Sequence, residues 1–374
     1  MWKRFFLGML RAILLLFAYL KYYLKLFLSL FGKAPITILA YRGYGRRDHI
    51  LLQGRVLKNK VITTSPADSL WRNLVNNYKR FGSAEIRGAQ LCVSIGENKF
   101  DLTTDREGYF FLDTPLEKPL EPDDKKWRKA SIRLVRTRRR EIDISETAKV
   151  LVPTNAEFGV ISDIDDTILI TEVTSLLKLK MLYLTFLKNA TNREAFHEVE
   201  AFFRALQKGK DDQNRNPVFY VSKSPWNLYD FLEDFIELNE LPRGPLLLRD
   251  IGLLPRRFPF FESLDKQYRG HKISSVARIL RMYPELPFIL VGDSGEKDAE
   301  IYLTIAKSFP GQVKAIYIHD VKEPRRSRHT LQLIQQSGVE NIKLVSSYRE
   351  AAEDAERRGF LNMKVFEEFG SGKR

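Results

Sequence analysis

A single cysteine, Cys92, stands among the 374 residues of this chain. One thiol cannot close an intramolecular disulfide, so no disulfide framework holds the fold, and a reducing compartment suits it. Unbroken apolar length is also scarce. The apolar opening, residues 3–31, contains no uncharged run longer than residues 12–20, far short of the ~20 residues that a clean membrane span needs. No small-residue cleavage site follows that run, so a retained segment is expected rather than a cleaved leader. Gly-Lys-Ser/Thr occurs nowhere, which excludes a nucleotide P-loop. Zinc-ligand spacings, internal repeats and low-complexity tracts are missing too.

What is present is an ordinary globular composition, 44% hydrophobic and 29% charged, with a net charge of +14. The length favours two domains, each large enough for its own core. The positive balance favours an anionic partner: lipid, nucleic acid or a phosphorylated substrate. On a helical wheel at roughly 100° per residue, Lys3, Arg4, Arg11, Lys21, Tyr22, Lys25 and Ser29 fall within about one third of the circumference. A cationic stripe against a broad apolar face is the pattern of an interfacial helix. Residues 1–32 are therefore expected to lie on a membrane bearing anionic lipid, on its cytoplasmic face. A spanning helix with snorkelling Arg and Lys, or a soluble packing helix, are the other readings.

Residues 33–152 change texture. Short apolar runs at 36–39, 49–57, 90–95, 109–112 and 131–136, broken by Gly, Pro and Asp, suggest a small antiparallel sandwich interrupted by a helical insertion at 66–80. The basic stretch 125–140 reads either as a patch facing lipid or nucleic acid, or as the solvated face of an edge strand. The second reading is preferred, because Trp127 alone offers an aromatic among the cations.

From 153 to 345 strand-like and helix-like segments alternate. Strands are expected at 159–162, 218–221, 246–248, 288–291, 315–318 and 342–345, with helices at 225–238, 272–282, 296–309 and 327–336. Such alternation implies right-handed crossovers and a Rossmann-like parallel α/β sheet. The stretch 174–207 is too long for a plain crossover and reads as a crossover helix plus a small helical cap. Residues 346–374 read as a helical tail.

The organising stretch is Phe158-Gly-Val-Ile-Ser-Asp163-Ile-Asp165-Asp166-Thr167-Ile168. An apolar run of this kind reads as a buried parallel strand. Carboxylates crowded at its tip cannot all stay ionised without a cation. Asp163 and Asp165 share one side of the strand, and hard oxygen ligands there suit Mg²⁺. An EF-hand would require Gly and Glu where Ile168 and Thr174 stand, so that reading fails. Three further elements are expected at the same sheet edge: Phe219-Tyr-Val-Ser222, Lys272, and Gly292-Asp293-Ser-Gly-Glu-Lys-Asp298. Phosphoryl transfer uses these types, namely a carboxylate nucleophile, an acid/base, donors that neutralise charge, and further carboxylates for a metal. Gly-Asp-Ser-Gly at 292–295 matches a serine-protease loop in letters only. It joins a strand to a helix, and it is not Gly-x-Ser-x-Gly.

Asp-x-Asp-x-Thr, a strand ending in Ser, a Lys, and Gly-Asp-x-x-x-x-Asp, in that order, resemble the haloacid dehalogenase superfamily of phosphatases. More narrowly, Ser162-Asp-Ile-Asp-Asp-Thr-Ile, Tyr220-Val-Ser-Lys-Ser-Pro-Trp-Asn-Leu-Tyr229 and Gly292 through Tyr302 resemble the actin-patch phosphatidate phosphatase catalytic domain. Upstream, Ala40-Tyr-Arg-Gly-Tyr-Gly45 and Gly54-Arg-Val56 look like the N-terminal region of its bacterial members. The resemblance implies that Asp163 attacks phosphorus and that Asp165 is the acid and then the base. It implies that Thr167 and Ser222, with Lys223 beside them, bind phosphoryl oxygens, while Lys272 neutralises charge. It implies a Mg²⁺ site drawn from Asp163, Asp165, Asp293 and Asp298, the last of which can instead brace the loop or Lys272. The expected activity is Mg-dependent hydrolysis of phosphatidate or a related lipid phosphate at the membrane surface. A tethered phosphatase for a soluble phosphomonoester and a catalytically silent membrane scaffold are the alternatives. A nucleic-acid partner would account for the charge but not for the carboxylates.

Overall fold

The computed structural model describes residues 35–58, 84–138, 140–164, 190–212, 216–249 and 270–370. The opening segment 1–32, the expected insertion 66–80 and the first part of the expected cap lie outside them. Among the described residues no helix is long and apolar enough to cross a membrane.

The first sheet contains β1 (Ile36–Ala40), β2 (Gly43–Arg46), β3 (His49–Lys58), β4 (Ala84–Glu85), β5 (Gln90–Ile95), β6 (Asn98–Thr103), β7 (Tyr109–Pro115), β8 (Trp127–Arg136) and β9 (Glu141–Leu151). These strands, expected as a small antiparallel sandwich, are linked by hydrogen bonds in the order β1-β3-β2-β9-β8-β5-β6, with β4 and β7 also on β3. The length of β3 is the cause. Its ten residues carry β7 and β4 along one edge and β2 and β1 along the other. The sheet encloses a core built around Ile50, Leu52, Val93, Phe110, Ile132 and Val150. The basic strand β8 is not at an edge, because it lies between β9 and β5. Its inward Ala130, Ile132 and Leu134 alternate with outward Lys129, Ser131 and Arg133, and Arg133 pairs with Asp143 on β9 at 2.8 Å.

The second sheet is wholly parallel: β10 (Gly159–Asp163), β11 (Val218–Pro225), β12 (Leu246–Arg249), β13 (Phe288–Asp293), β14 (Val313–His319) and β15 (Ile342–Val345), in the order β12-β11-β10-β13-β14-β15. The chain steps outward from β10 to β12, then returns to the far side of β10 and steps outward again. That reversal is the topological switch point of a doubly wound sheet, where ligands bind beyond the carboxyl ends of the strands.

Among the described residues the α-helices are α1 (Ala190–Lys208), α2 (Tyr229–Leu238), α3 (His271–Met282), α4 (Asp298–Ser308), α5 (Pro324–Ser337), α6 (Tyr348–Arg357) and α7 (Met363–Gly370). Period-two alternation along the strands separates two cores. Val160, Tyr220, Ile289 and Tyr317 share one core with residues of α1, α2, α6 and α7. Ile161, Phe219, Leu290 and Ile316 share the other with residues of α3 and α4. Helix α1, the described part of the expected crossover and cap, sets Phe202 edge-on to Tyr317 at 5.8 Å, as a crossover helix does. Helices α6 and α7 pack in that same core through Ala352, Ala355, Val365 and Phe366. Each such fully buried aliphatic or aromatic side chain contributes about 1.5–3 kcal/mol, which fixes the strand tips that bear the candidate site.

Candidate active site

Strand register alone brings the first groups together. Asp163, the last residue of β10, pairs with Val221, so Ser222 lies one step further along the neighbouring strand. On the other side Ser162 pairs with Val291, which sets Asp163 level with Gly292 and next to Asp293. Asp163, Ser222 and Asp293 are all buried, with exposures of 3%, 0% and 2%. Polar groups so deep require partners.

Lys272 enters from α3. It sits in the first turn of that helix, where the macrodipole disfavours a cation, and its side chain is only 2% exposed. Three carboxylates offset both costs. Its Nζ lies 2.9 Å from Asp163 Oδ1, 2.6 Å from Asp298 Oδ1 and 2.8 Å from Glu296 Oε2. Burial alone would lower the Lys272 pKa, but Asp298 and Asp163, then Tyr302 and Glu296, raise it above its ordinary value. Burial likewise acts to raise Glu296, yet Lys272 and Lys223 prevail and hold it below the ordinary range. For Asp298 burial prevails, and its pKa is raised against the pull of Lys272. The two ends of the Lys272–Asp298 pair thus pull in opposite senses. The upward shift of Lys272 governs, because three carboxylates share it.

The β13–α4 loop is braced from within. Asp293 Oδ1 accepts the Gly295 amide at 2.6 Å and the Glu296 amide at 3.2 Å. Asp298 Oδ2 accepts the Asp293 amide at 3.2 Å while its other oxygen accepts from Lys272. Gly292 is required for this approach, since a Cβ there would stand 2.4 Å from Asp298 Oδ2. Ser294 is turned toward β14. Its amide donates to His319 O at 2.9 Å, and its hydroxyl donates to Asp320 at 3.3 Å and accepts from the Val321 amide at 3.0 Å. That engagement confirms that Gly-Asp-Ser-Gly is a loop brace and not a serine nucleophile.

The structure therefore gathers Asp163, Lys272 and Asp298, with Ser222 and Asp293 on the flanking strand ends. Lys223, more exposed, reaches the cluster by pairing with Glu296. Asp165 and Thr167, expected as acid/base and phosphate ligand, lie outside the described residues. Asp163, Glu296 and Asp298 each offer an oxygen within 4.8 Å of the others. Glu296 was not singled out in the sequence, and Asp293 is not part of that trio. The only signal for Glu296 was its place in an acidic loop after β13; its contact with a lysine 24 residues away has no local signature.

The donor set suits a hard divalent cation. Asp163, Glu296 and Asp298 pair with Lys272, Glu296 also pairs with Lys223, and Asp293 stands at the next strand tip, so four carboxylates against two ammonium groups leave two negative charges over. The centre of the trio already holds the Lys272 ammonium. Asp163 and Asp293, adjacent at the switch point, are thus the carboxylates that fit a metal, and Asp298 fits better as the brace of Lys272 and the loop.

Residues 158–320 match the family model for the catalytic domain of phosphatidate phosphatase APP1. The chain is 35% identical to phosphatidate phosphatase APP1 of Saccharomyces cerevisiae over 175 residues, covering 47% of this chain and 28% of that protein. It is 27% identical over 226 residues to an uncharacterized protein of Schizosaccharomyces pombe, covering 60% of this chain and 35% of that one. The chain thus spans about a third of the length of these curated relatives. Among solved structures, Bifidobacterium dentium beta-glucuronidase in complex with coumarin-3-O-glucuronide aligns over 81% of this chain and 58% of its own. At 11% identity and a TM-score of 0.23, that likeness carries no argument.

Proposed function

We propose that this chain is a phosphatase of the family whose catalytic-domain model its residues 158–320 match, with a haloacid-dehalogenase-like core of the bacterial type. Its proposed substrate is phosphatidate or a related lipid phosphate. The observation that carries the reading is the buried Lys272 ammonium held 2.9 Å from Asp163 at a switch point within the matched segment. A buried carboxylate beside a fixed cation is what an attacking carboxylate needs, because the cation offsets the repulsion between two anions as they meet.

In this proposal Asp163 attacks phosphorus, its oxygen forming the new P–O bond as the ester P–O bond breaks. Asp165 gives its proton to the departing alkoxide, which leaves as the alcohol. Asp165 then takes a proton from water as the hydroxide attacks the aspartyl-phosphate, releasing inorganic phosphate and restoring Asp163. Ser222, Lys223 and Thr167 hold the phosphoryl oxygens, and Lys272 balances the charge that Asp163 and the phosphoryl group share. Mg²⁺, when bound by Asp163, Asp293 and the Asp165 carbonyl, supplies neutralisation of the phosphoryl charge. Residues 1–32 are proposed to hold the enzyme at the surface of an anionic membrane, on its cytoplasmic face, as their cationic stripe supports.

A panel of lipid and soluble phosphomonoesters, assayed with and without Mg²⁺, tests the reading. The proposal expects Mg²⁺-dependent phosphate release that is highest on phosphatidate. Equal or better turnover of soluble monoesters would replace the lipid substrate with a soluble one. Absence of phosphate release from every monoester would refute the phosphatase.

A further inference from the structure

The segment that presents Ser222 and Lys223 leads directly into residues that pack against the first domain. The β11–β12 ladder jumps from Val221–Leu247 to Pro225–Arg249, so residues 222–224 bulge opposite the single residue Leu248. The pairing with β10 ends at Val221. The bulge is followed at once by Trp226 and Tyr229, and both meet the corner between β1 and β2. Tyr41 stacks on Trp226 with ring centroids 4.9 Å apart and planes at 19°, and lies 4.2 Å from the Tyr229 ring. The Arg42 amide donates to Tyr229 Oη at 2.8 Å, and Arg42 Nη1 lies 3.3 Å from Glu233 Oε1. Tyr229 Oη in turn donates to Glu233, which closes the ring of contacts. Tyr41 is itself tied to the first sheet, its amide donating to Gln53 O at 3.0 Å. Tyr41 and Tyr229 are each only 3% exposed.

Two residues further on, the same domain reaches the opposite face of the parallel sheet. Tyr44 meets Phe219 edge-on at 5.7 Å and Tyr283 at 6.4 Å. The two contacts therefore fall on opposite faces of the sheet, Tyr44 against β11 itself and Tyr41 with Arg42 against the residues that follow it. Only the Tyr41–Arg42 contact falls on the carboxyl-terminal side of the bulge.

We propose that Tyr41 and Arg42 are positioning residues for the phosphate-binding bulge, so that the first domain fixes where Ser222 and Lys223 stand relative to Asp163. The proposal rests on the phosphatase reading above, in which Ser222 holds a phosphoryl oxygen. A flat aromatic stack sets the height of Trp226, and the Arg42–Tyr229–Glu233 contacts set the start of α2. Together they fix the carboxyl-terminal end of the three-residue bulge at 222–224, where the β11–β12 register shifts. Misplacing a substrate-binding group by about 1 Å can cost up to ~10²-fold in rate, so the corner matters to catalysis without touching substrate.

The test is a double-mutant cycle in the full chain, on detergent-dispersed phosphatidate with Mg²⁺. Tyr41→Leu and, separately, Arg42→Met are measured alone and combined with Ser222→Ala, with melting temperatures taken alongside. Tyr44→Leu serves as a control that loosens the same interface on the other face. The corner variants are expected to lower kcat/KM by about 10- to 100-fold in the native background but by under about twofold once Ser222 is alanine. Tyr44→Leu should lower the melting temperature with under about a twofold change in kcat/KM. Tyr41→Phe, which keeps the stack, should restore activity. Equal losses in both backgrounds, or a Tyr44→Leu loss as large as that of Tyr41→Leu, would overturn the positioning role alone. An inactive-site role for Ser222, shown by Ser222→Ala at full activity, would overturn the phosphatase reading of that residue and the inference with it. If Tyr41→Leu does not fold, Arg42→Met decides the same comparison.

Discussion

Lys272→Met keeps the length of the side chain and deletes its charge. In the native protein the ammonium touches Asp163, Asp298 and Glu296 at 2.6–2.9 Å, and the side chains of Asp163 and Asp298 have 0% exposure. Lys223 still pairs with Glu296 in the variant, so the loss falls on the other two carboxylates. Removing one partner of a buried ion pair costs about 3–5 kcal/mol, because the remaining charge is left desolvated. At about 2–4 °C per kcal/mol for a domain of roughly 200 residues, the melting temperature should fall by roughly 6–20 °C. The sign with pH follows from Asp298, whose pKa burial already raises and which then has no Lys272 to oppose it. A raised folded pKa contributes stability below the unfolded value, and that stability is lost as pH rises through the folded value. The deficit should therefore be largest above the raised Asp298 pKa and shrink as pH falls through it, where protonation relieves the buried charge. Thermal melts of wild type and variant across that pH range measure it. A deficit under about 1 kcal/mol, or one that does not change with pH, would refute the reasoning that a buried pair holds this site together.

Gly292→Ala should cost about 1–3 kcal/mol through overpacking and lose most activity, because a Cβ there lies 2.4 Å from Asp298 Oδ2; urea melts and phosphate release check both. Glu296 has a lowered pKa, so its contribution is present above the ordinary value of ~4.3 and lost as pH falls through the lower folded value. The stability gap between wild type and Glu296→Gln should accordingly narrow on acidification below about pH 4. Asp163→Asn should reduce turnover on the order of 10⁴-fold or more with its circular-dichroism spectrum unchanged. Chelation should abolish phosphate release and added Mg²⁺ restore it, whereas release that survives exhaustive chelation would remove the metal from the account.

The parallel sheet was legible because its strands are buried on both faces and so appear as unbroken apolar runs. All six expected positions, from 159–162 to 342–345, fall within or against β10 to β15. Asp163, Ser222 and Asp293 stand at strand tips that the sequence marks by polar residues directly after such runs, whereas Asp298 opens the helix five residues beyond β13. The first sheet was harder to read. Strand β9 spreads its apolar residues thinly among Glu, Asp, Ser and Lys, and its pairings run to β8 and β2, the latter more than a hundred residues distant. That long-range register, with the four partners of β3, links strands that the sequence shows only as separate short runs. Glu296 and the contact of the Tyr41–Arg42 corner with Tyr229 were missed on the same ground. Each acts through a contact made only after folding, 24 residues away for Glu296 with Lys272 and 187 for Arg42 with Tyr229.

The central claim is that Asp163 is a nucleophile that carries the phosphoryl group. Acid quenching of the Mg²⁺-loaded protein during turnover of phosphate-labelled phosphatidate, followed by mass-spectrometric location of the label, tests it directly. Asp165→Asn, which the proposal expects to slow hydrolysis of the intermediate, should make the trapped species easier to collect. The account predicts acid-stable, hydroxylamine-sensitive label on the peptide containing Asp163, and none in Asp163→Asn. Label on any other residue, or turnover without label alongside an active Asp163→Asn, would contradict it.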